Sequence, residues 1–197
     1  MRWAWMVAVL LAACSPTATH APPAPTTSQM LAQAARSFHD ASFAIVESVP
    51  VADGTHTAHG RGLLTLSPLA ISYDEDTDPP VAGAHWEFIS IGTTDYSRLT
   101  INDASGPWRK AISTWTQANP SLWPSLPDPI LLDSPALNHT PTWHVRSQSG
   151  QTTTDLFIRQ SDSRPLRLTS TDAGTSSSIF TYDFTAFNTG AKVYAPA

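Results

Sequence analysis

The sequence predicts an α+β fold that is mostly β: a curved antiparallel sheet, or half-barrel, of about 9–11 strands. One N-terminal helix and a short helical or loop lid cover its concave face. Three observations carry this. From Ser42 onward apolar and polar residues alternate with a period of two, the mark of half-buried strands. The alternation is clean, so one face is covered and the other wet, as in antiparallel sheets, and no strand–helix–strand spacing appears. Only residues 29–39 show a long stretch with helical period.

The first residues precede that domain. Met1 and Arg2 give a positive start, and Trp3 to Ala13 is an apolar run without a charge. Its length is well short of the about 20 residues a helix needs to cross a bilayer core of ~30 Å. A charged start, a short apolar run and small residues at its end make a secretory signal peptide. The run closes on Leu11-Ala12-Ala13-Cys14, which resembles the bacterial lipobox, in which the cysteine is lipidated and becomes the first residue after cleavage. Residues 1–13 are therefore expected to be a lipoprotein signal peptide and Cys14 the lipidation site. Cys14 is the single cysteine, so it makes no internal disulfide, and no Cys/His spacing suggests a zinc site. Residues 14–27, rich in proline, alanine and threonine, offer nothing to bury and read as a tether. Extended, they reach roughly 40 Å at ~3.1 Å per residue.

The domain is expected over 28–197. Ser28 can cap a helix over 29–39, with Met30, Ala34 and Phe38 on one stripe and Leu31 and Ala35 beside it. Phe43, Ile45 and Val49 then alternate with polar or small neighbours, and Asp53-Gly54 marks a hairpin. Further strands are predicted over 61–66, 70–73, 85–91, 95–101 and 108–112, separated by turn chemistry such as "DEDTDPP" and "NDASGP". Residues 113–141 break the pattern with six prolines and many large apolar residues, among them Trp115, Trp123 and Leu126. A structureless loop of that length is rare in a compact domain, so the segment reads as a packed cover with a short helix over 128–132. Strands resume over 142–147, 152–160, 165–170 and 178–187, with Trp143, Val145, Leu156, Ile158, Phe180, Tyr182 and Phe184 at alternate positions.

The stretches "GPWRKA", "TTTDLFIRQSDSRPLRLTS" and "FTYDFTAFNTGAKVYAPA" resemble the later part of the LolA-like lipoproteins, and most closely the actinobacterial LppX/LprG-like branch. The lipobox, the tether and the opening helix occur in the same order. The resemblance covers most of 28–197 in layout, with few identities, and is weakest over 113–141. It implies an antiparallel half-barrel whose helix-covered concave face encloses a cavity for acyl chains. It also implies a lipid or lipoprotein carrier, or a lipid-responsive regulator, without catalytic residues to carry over.

The residues themselves are compatible with that. A strongly curved sheet presents more apolar surface than one helix covers, and a loosely fitted cover leaves an apolar cavity. Candidate ligand-lining residues are Met30, Leu31 and Phe38 from the helix, with Phe43, Ile45, Leu64, Leu66, Trp86 and Phe88 from early strands. Each alone is an ordinary core residue; only the set has weight.

Other chemistry finds less support. A net charge of −5 with two lysines and no basic run argues against nucleic acid. Asp74, Asp76 and Asp78 open like a calcium loop, but Pro79 stands where that loop needs glycine and His85 where it needs glutamate, so a solvated acidic turn is expected. His56 and His59 lack a third ligand. No Gly-x-Ser-x-Gly or Ser-x-x-Lys motif is present. The reading expects no metal, no cofactor and no catalysis. It expects a lipid-anchored protein on the extracytoplasmic side of a cell membrane, binding a lipid or hydrophobic small molecule. The alternative is a sensor or interaction module for an envelope protein. An envelope hydrolase is weaker.

Overall fold

The computed structural model describes residues 24–51, 54–78, 84–113, 125–174 and 177–197. The expected signal peptide and Cys14 lie outside them, as do most of the tether and residues 114–124 of the expected cover. Helix α1 (Thr27–Arg36) opens the domain. Its cap is Thr26, not Ser28. The Thr26 hydroxyl accepts from the Gln29 N–H at 3.3 Å, and the Gln29 side chain accepts from the Thr26 N–H at 2.9 Å. This reciprocal box needs an acceptor three residues after the cap. Ser28 is followed at that spacing by Leu31, which has none.

Thirteen strands follow: β1 (Asp40–Val51), β2 (Gly54–Leu66), β3 (Leu69–Asp78), β4 (Ala84–Ile91), β5 (Thr94–Ile101), β6 (Ala104–Ser105), β7 (Arg109–Ile112), β8 (Ile130–Asp133), β9 (Ala136–Leu137), β10 (Thr140–Ser149), β11 (Thr152–Arg159), β12 (Pro165–Asp172) and β13 (Ser178–Phe187). They form one open sheet in the order β6, β5, β4, β3, β2, β1, β13, β12, β11, β10, β8, with β7 also on β5 and β9 also on β10. Every pairing is antiparallel. Two meanders thus meet along β1 and β13, the first and last strands. The count exceeds the expected range because of short pieces such as β6 and β9, two residues each. Two hairpin loops use successive left-handed residues, Asn102–Asp103 (φ 48° and 63°) and Asn138–His139 (φ 50° and 64°). That is the turn whose twist matches its strands.

Two expectations are corrected. "DEDTD" is not a turn: β3 runs through it, with Asp74 opposite Arg61 and Asp76 opposite His85. Basic partners on neighbouring strands offset the repulsion that makes an acidic run look like a loop. The short helix expected over 128–132 is absent: Ile130–Asp133 form strand β8 at the sheet edge, paired with β10. Pro129 disfavours the helical conformation at Asp128, whose φ is 41°, and the apolar Ile-Leu-Leu run pairs readily. Ahead of it, Leu126 packs on the core, and the Pro127 carbonyl accepts from the Ser147 hydroxyl. Residues 126–127 therefore lie against the inner face, as a cover should.

Helix α1 places Met30, Leu31 and Ala34 in the curve of the sheet. They join Phe38, Phe43, Ile45, Leu64, Ile71, Val145, Leu156, Ile158 and Phe184 in one buried cluster. The curve itself depends on β2, whose inner face reads Ala58, Gly60, Gly62 between Glu47, Ile45 and Phe43 of β1 and Thr77, Glu75 and Tyr73 of β3. A Cβ on Gly62 would collide with the Phe43 ring and the Ser72 carbonyl; one on Gly60 would strike the Asp74 carbonyl. The backbones approach there as only glycine permits.

The two ends of the domain are tied together at Asp40, which is buried. Its carboxylate accepts from the Thr189 N–H (2.9 Å), the Thr189 hydroxyl (2.6 Å) and the Gly190 N–H (3.0 Å). Burial alone would push this carboxyl up, but these hydrogen bonds outweigh it and hold the pKa below the ordinary value. Gly62→Ala is expected to cost about 1–3 kcal/mol of stability through overpacking. The measurement is the urea midpoint at unchanged slope; a midpoint equal to that of the parent would show that the curve does not need this glycine.

Candidate functional site

Strand register sets what the inner face presents. One continuous row crosses the sheet: Val145, Leu156, Leu168, Tyr182, Ile45, Gly60, Glu75, Trp86 and Leu99. Paired residues share a face, so helix α1 and this row look at each other. The helix seals the half around β13, β11 and β10: Ile45, Leu156, Ile158 and Val145 are fully buried. Beyond β2 the row of Ile71, Ser90 and Asp95 stays buried, and among the described residues the face opens along the rows past it. Tyr73 and Phe88 are half-buried, their rings 5.2 Å apart, while Leu99 and Ile101 on β5 are 40% and 44% exposed.

All nine residues expected to line a ligand surface lie on α1 or just after it, or on the inner face. Six of them, Met30, Leu31, Phe38, Phe43, Ile45 and Leu64, are packed core. Leu66, Trp86 and Phe88 are only partly buried and lie toward the open half. The sequence reading missed Tyr73, Leu99 and Ile101 as members of the same surface. Alternation from Ile71 and Trp86 and the hairpin pairings would have found them.

The outer face differs. It carries cross-strand ion pairs, with Glu87 gripped bidentately by Arg98 (2.6 and 2.8 Å), Asp155 by Arg146 (2.8 and 3.0 Å) and Asp183 by Arg167 (2.6 and 2.9 Å). Trp108 lies over the Arg98 guanidinium at 4.7 Å. Trp108 walls a cleft of about 600 Å³ lined largely by outer-face residues of β1 to β4, including Ala44, Arg61, Leu63, Asp74, Glu87 and Ile89. Trp115 and Trp123, considered with Trp108 as a sugar-stacking surface, lie outside the described residues. His144 stacks on Phe157, and both its ring nitrogens are engaged by carboxylates, Asp133 at 3.0 Å and Asp155 at 2.7 Å. Neither nitrogen is left to activate a hydroxyl. His56 and His59 stand on β2 at odd spacing, so they point to opposite faces and cannot share an ion. Among the described residues no group of three metal-ligating side chains forms.

One polar feature interrupts the inner face. Glu47 on β1 and Glu75 on β3 are hydrogen-bonded to each other. A whole strand separates them, and they meet because β2 offers only Ala58 and Gly60 between them. Glu75 Oε2 is fully buried with no partner. Burial, followed by the Glu47 charge and the hydrogen bond, pushes Glu75 up to about 7; burial raises Glu47 as well, though accepting from Glu75 offsets part of this. Tyr73 and Tyr182 beside them are also raised: Tyr182 by burial and then by these carboxylates, Tyr73 by burial, then by Tyr182 and then by the carboxylates. A carboxyl whose folded pKa exceeds its unfolded value contributes stability that is complete below the unfolded value. That stability is lost as pH rises through the folded value. The protein is therefore expected to lose on the order of 1–2 kcal/mol between pH 5 and 8. Glu75→Gln should flatten that slope in urea titrations across pH; an unchanged slope would place the titration elsewhere.

No protein-family model matches the chain, and no curated protein does. Solved structures do. The lipoprotein LppX of Mycobacterium tuberculosis superposes with a TM-score of 0.52 at 12% identity, covering 86% of this chain and 100% of that one. A putative outer membrane lipoprotein-sorting protein domain from Vibrio parahaemolyticus follows at TM-score 0.42 and 14% identity, over 82% of this chain and 92% of that one. A LolA superfamily protein from Nitrosomonas europaea aligns at TM-score 0.35 and 10% identity, over 84% and 94%. At these identities the likeness speaks for the fold. The likeness to LppX alone supports an argument, and it is one of fold: this chain has the half-barrel fold that LppX has, as the sequence led us to expect.

Proposed function

We propose that this chain is a lipoprotein, held to the extracytoplasmic side of a membrane by an acylated Cys14, whose half-barrel binds or carries a lipid or other hydrophobic molecule. One observation carries the binding role. The apolar inner face is longer than the helix that covers it: among the described residues it is sealed around β10 to β13 and along the Ile71–Ser90–Asp95 row, and it opens past that row toward Leu99 and Ile101. Tyr73, Trp86, Phe88, Leu99 and Ile101 offer the ligand surface. An alkyl chain laid there gains ~0.8 kcal/mol for each buried CH₂. Among the described residues no helix is long and apolar enough to cross a membrane. The anchoring role rests on the lipobox, and two or three acyl chains hold a protein far better than one. LppX, which shares the fold, is itself a lipoprotein.

Native mass spectrometry of Cys14→Ser protein should show an adduct that organic extraction removes. A clean apo mass, together with no fluorescence gain from the neutral dye N-phenyl-1-naphthylamine, would overturn the binding role. In cells, Cys14→Ser should move the protein from the membrane to the soluble fraction, because the acyl chains that hold it are lost. Retention in the membrane fraction would overturn the anchor.

A further inference from the structure

The open half of the inner face ends on a pair of acids, and their placement is specific. Glu47 lies two positions after Ile45 on β1, and Glu75 two after Tyr73 on β3, so strand alternation turns both inward. Among the described residues neither is paired with a base, in contrast to Glu87, Asp155 and Asp183 on the outer face. Each is half-buried, and one oxygen of Glu75 is shut away from water. The groups around them are Tyr73 from β3, Trp86 from β4, and Phe180 and Tyr182 from β13, with Ala58 and Gly60 beneath. His56 lies one row further along β2, and Asp95 of β5 acts on Tyr73. No lysine, arginine or histidine is among the groups that act on either carboxyl. The pair is thus an acidic spot set in aromatic surface, with its charge decided by protons alone.

We propose that the Glu47–Glu75 pair makes the inner face choose its occupant by head-group charge. With the pair holding its proton, the face takes anionic as well as neutral amphiphiles; with the pair ionised, it turns the anionic ones away. This rests on the inner face being the hydrophobic-ligand surface. An added negative charge in a half-buried site acts through an effective dielectric far below that of water. One anionic head group within several ångströms then loses at least about tenfold in affinity. Proton and ligand are linked, so an anionic occupant raises the pH at which the pair ionises, and a rise in pH releases it. The pair titrates as a unit, so the transition belongs to both carboxyls together.

A matched pair of dyes tests this. N-phenyl-1-naphthylamine is neutral, and 1-anilinonaphthalene-8-sulfonate adds a permanent negative charge to the same ring system. Each is titrated into Cys14→Ser protein at pH 5.5 and pH 8.5. The neutral dye should bind equally at both, within about twofold, while the sulfonate should weaken at least about tenfold at the higher pH. Adding Glu47→Gln and Glu75→Gln together should abolish the sulfonate's pH dependence and leave the neutral dye unchanged. If that double variant fails to show a native near-ultraviolet spectrum, Glu75→Gln alone is used, and its sulfonate affinity should be flat over the same range. A pH-independent sulfonate affinity in the parent, or a loss that persists in the folded variant, overturns the charge selection while leaving hydrophobic binding intact. Failure of the neutral dye to bind at either pH overturns both.

Discussion

The inner side of β2 carries almost no side chain between Ala58 and Gly62, and its neighbours exploit the space. Phe43 lays its ring over Gly62, meeting Tyr182 and Phe184 edge-on at 5.4 and 6.1 Å. Glu47 and Glu75 meet across Gly60. The backbones of β2 and β3 close up until no methyl group fits between them. A flat sheet could not fold over a helix this way; curvature has to be introduced at glycines and bulges. β1 adds such an irregularity against β13 between Ala41 and Phe43, and β11 another against β12 between Phe157 and Ile158. The covered core, the open aromatic half and the acidic spot all follow from where the sheet bends.

Curvature alone does not fix register. A slip of one residue would turn the apolar row outward and the charged face inward. The outer face opposes that slip strand by strand. Arg61 faces Asp74, Asp76 faces His85, Glu87 faces Arg98, Arg146 faces Asp155 and Arg167 faces Asp183, each in direct cross-strand pairing. Exposed pairs such as Arg61–Asp74, at 3.9 Å, add little stability. Displaced by one position, however, the same charges would face apolar side chains. The pairs therefore act more on uniqueness than on depth of the native state.

Local pattern made much of this legible. Alternation placed Phe43, Ile45, Leu64, Leu66, Trp86 and Phe88 on one face, and helical spacing placed Met30, Leu31 and Phe38 against them. What it could not supply was pairing between distant segments. "DEDTD" reads as a loop until Arg61 and His85 stand opposite it. Residues 128–132 read as a helix until β10 offers an edge to 130–133. Glu47 and Glu75 each follow the alternation, yet their contact exists only through the registers of β1 with β2 and β2 with β3. Which apolar residues are sealed depends on where the helix crosses the sheet, a three-dimensional fact. The ligand-facing candidates thus shift from the helix toward β3, β4 and β5.

The meeting of β1 with β13 has a consequence in time. The bonds that hold the end of the chain to Asp40 span 149 and 150 positions. A ribosome, and any machinery that passes the chain along from its N-terminus, presents β1 long before β13 exists. Until the last strand arrives, the first meander is a curved ribbon with a bare edge on its longest pairing partner, and its inner wall is uncovered on that flank. Such edges recruit whatever strand is near. Crowded neighbours share that interval, and completion of this fold becomes a race that β13 must win.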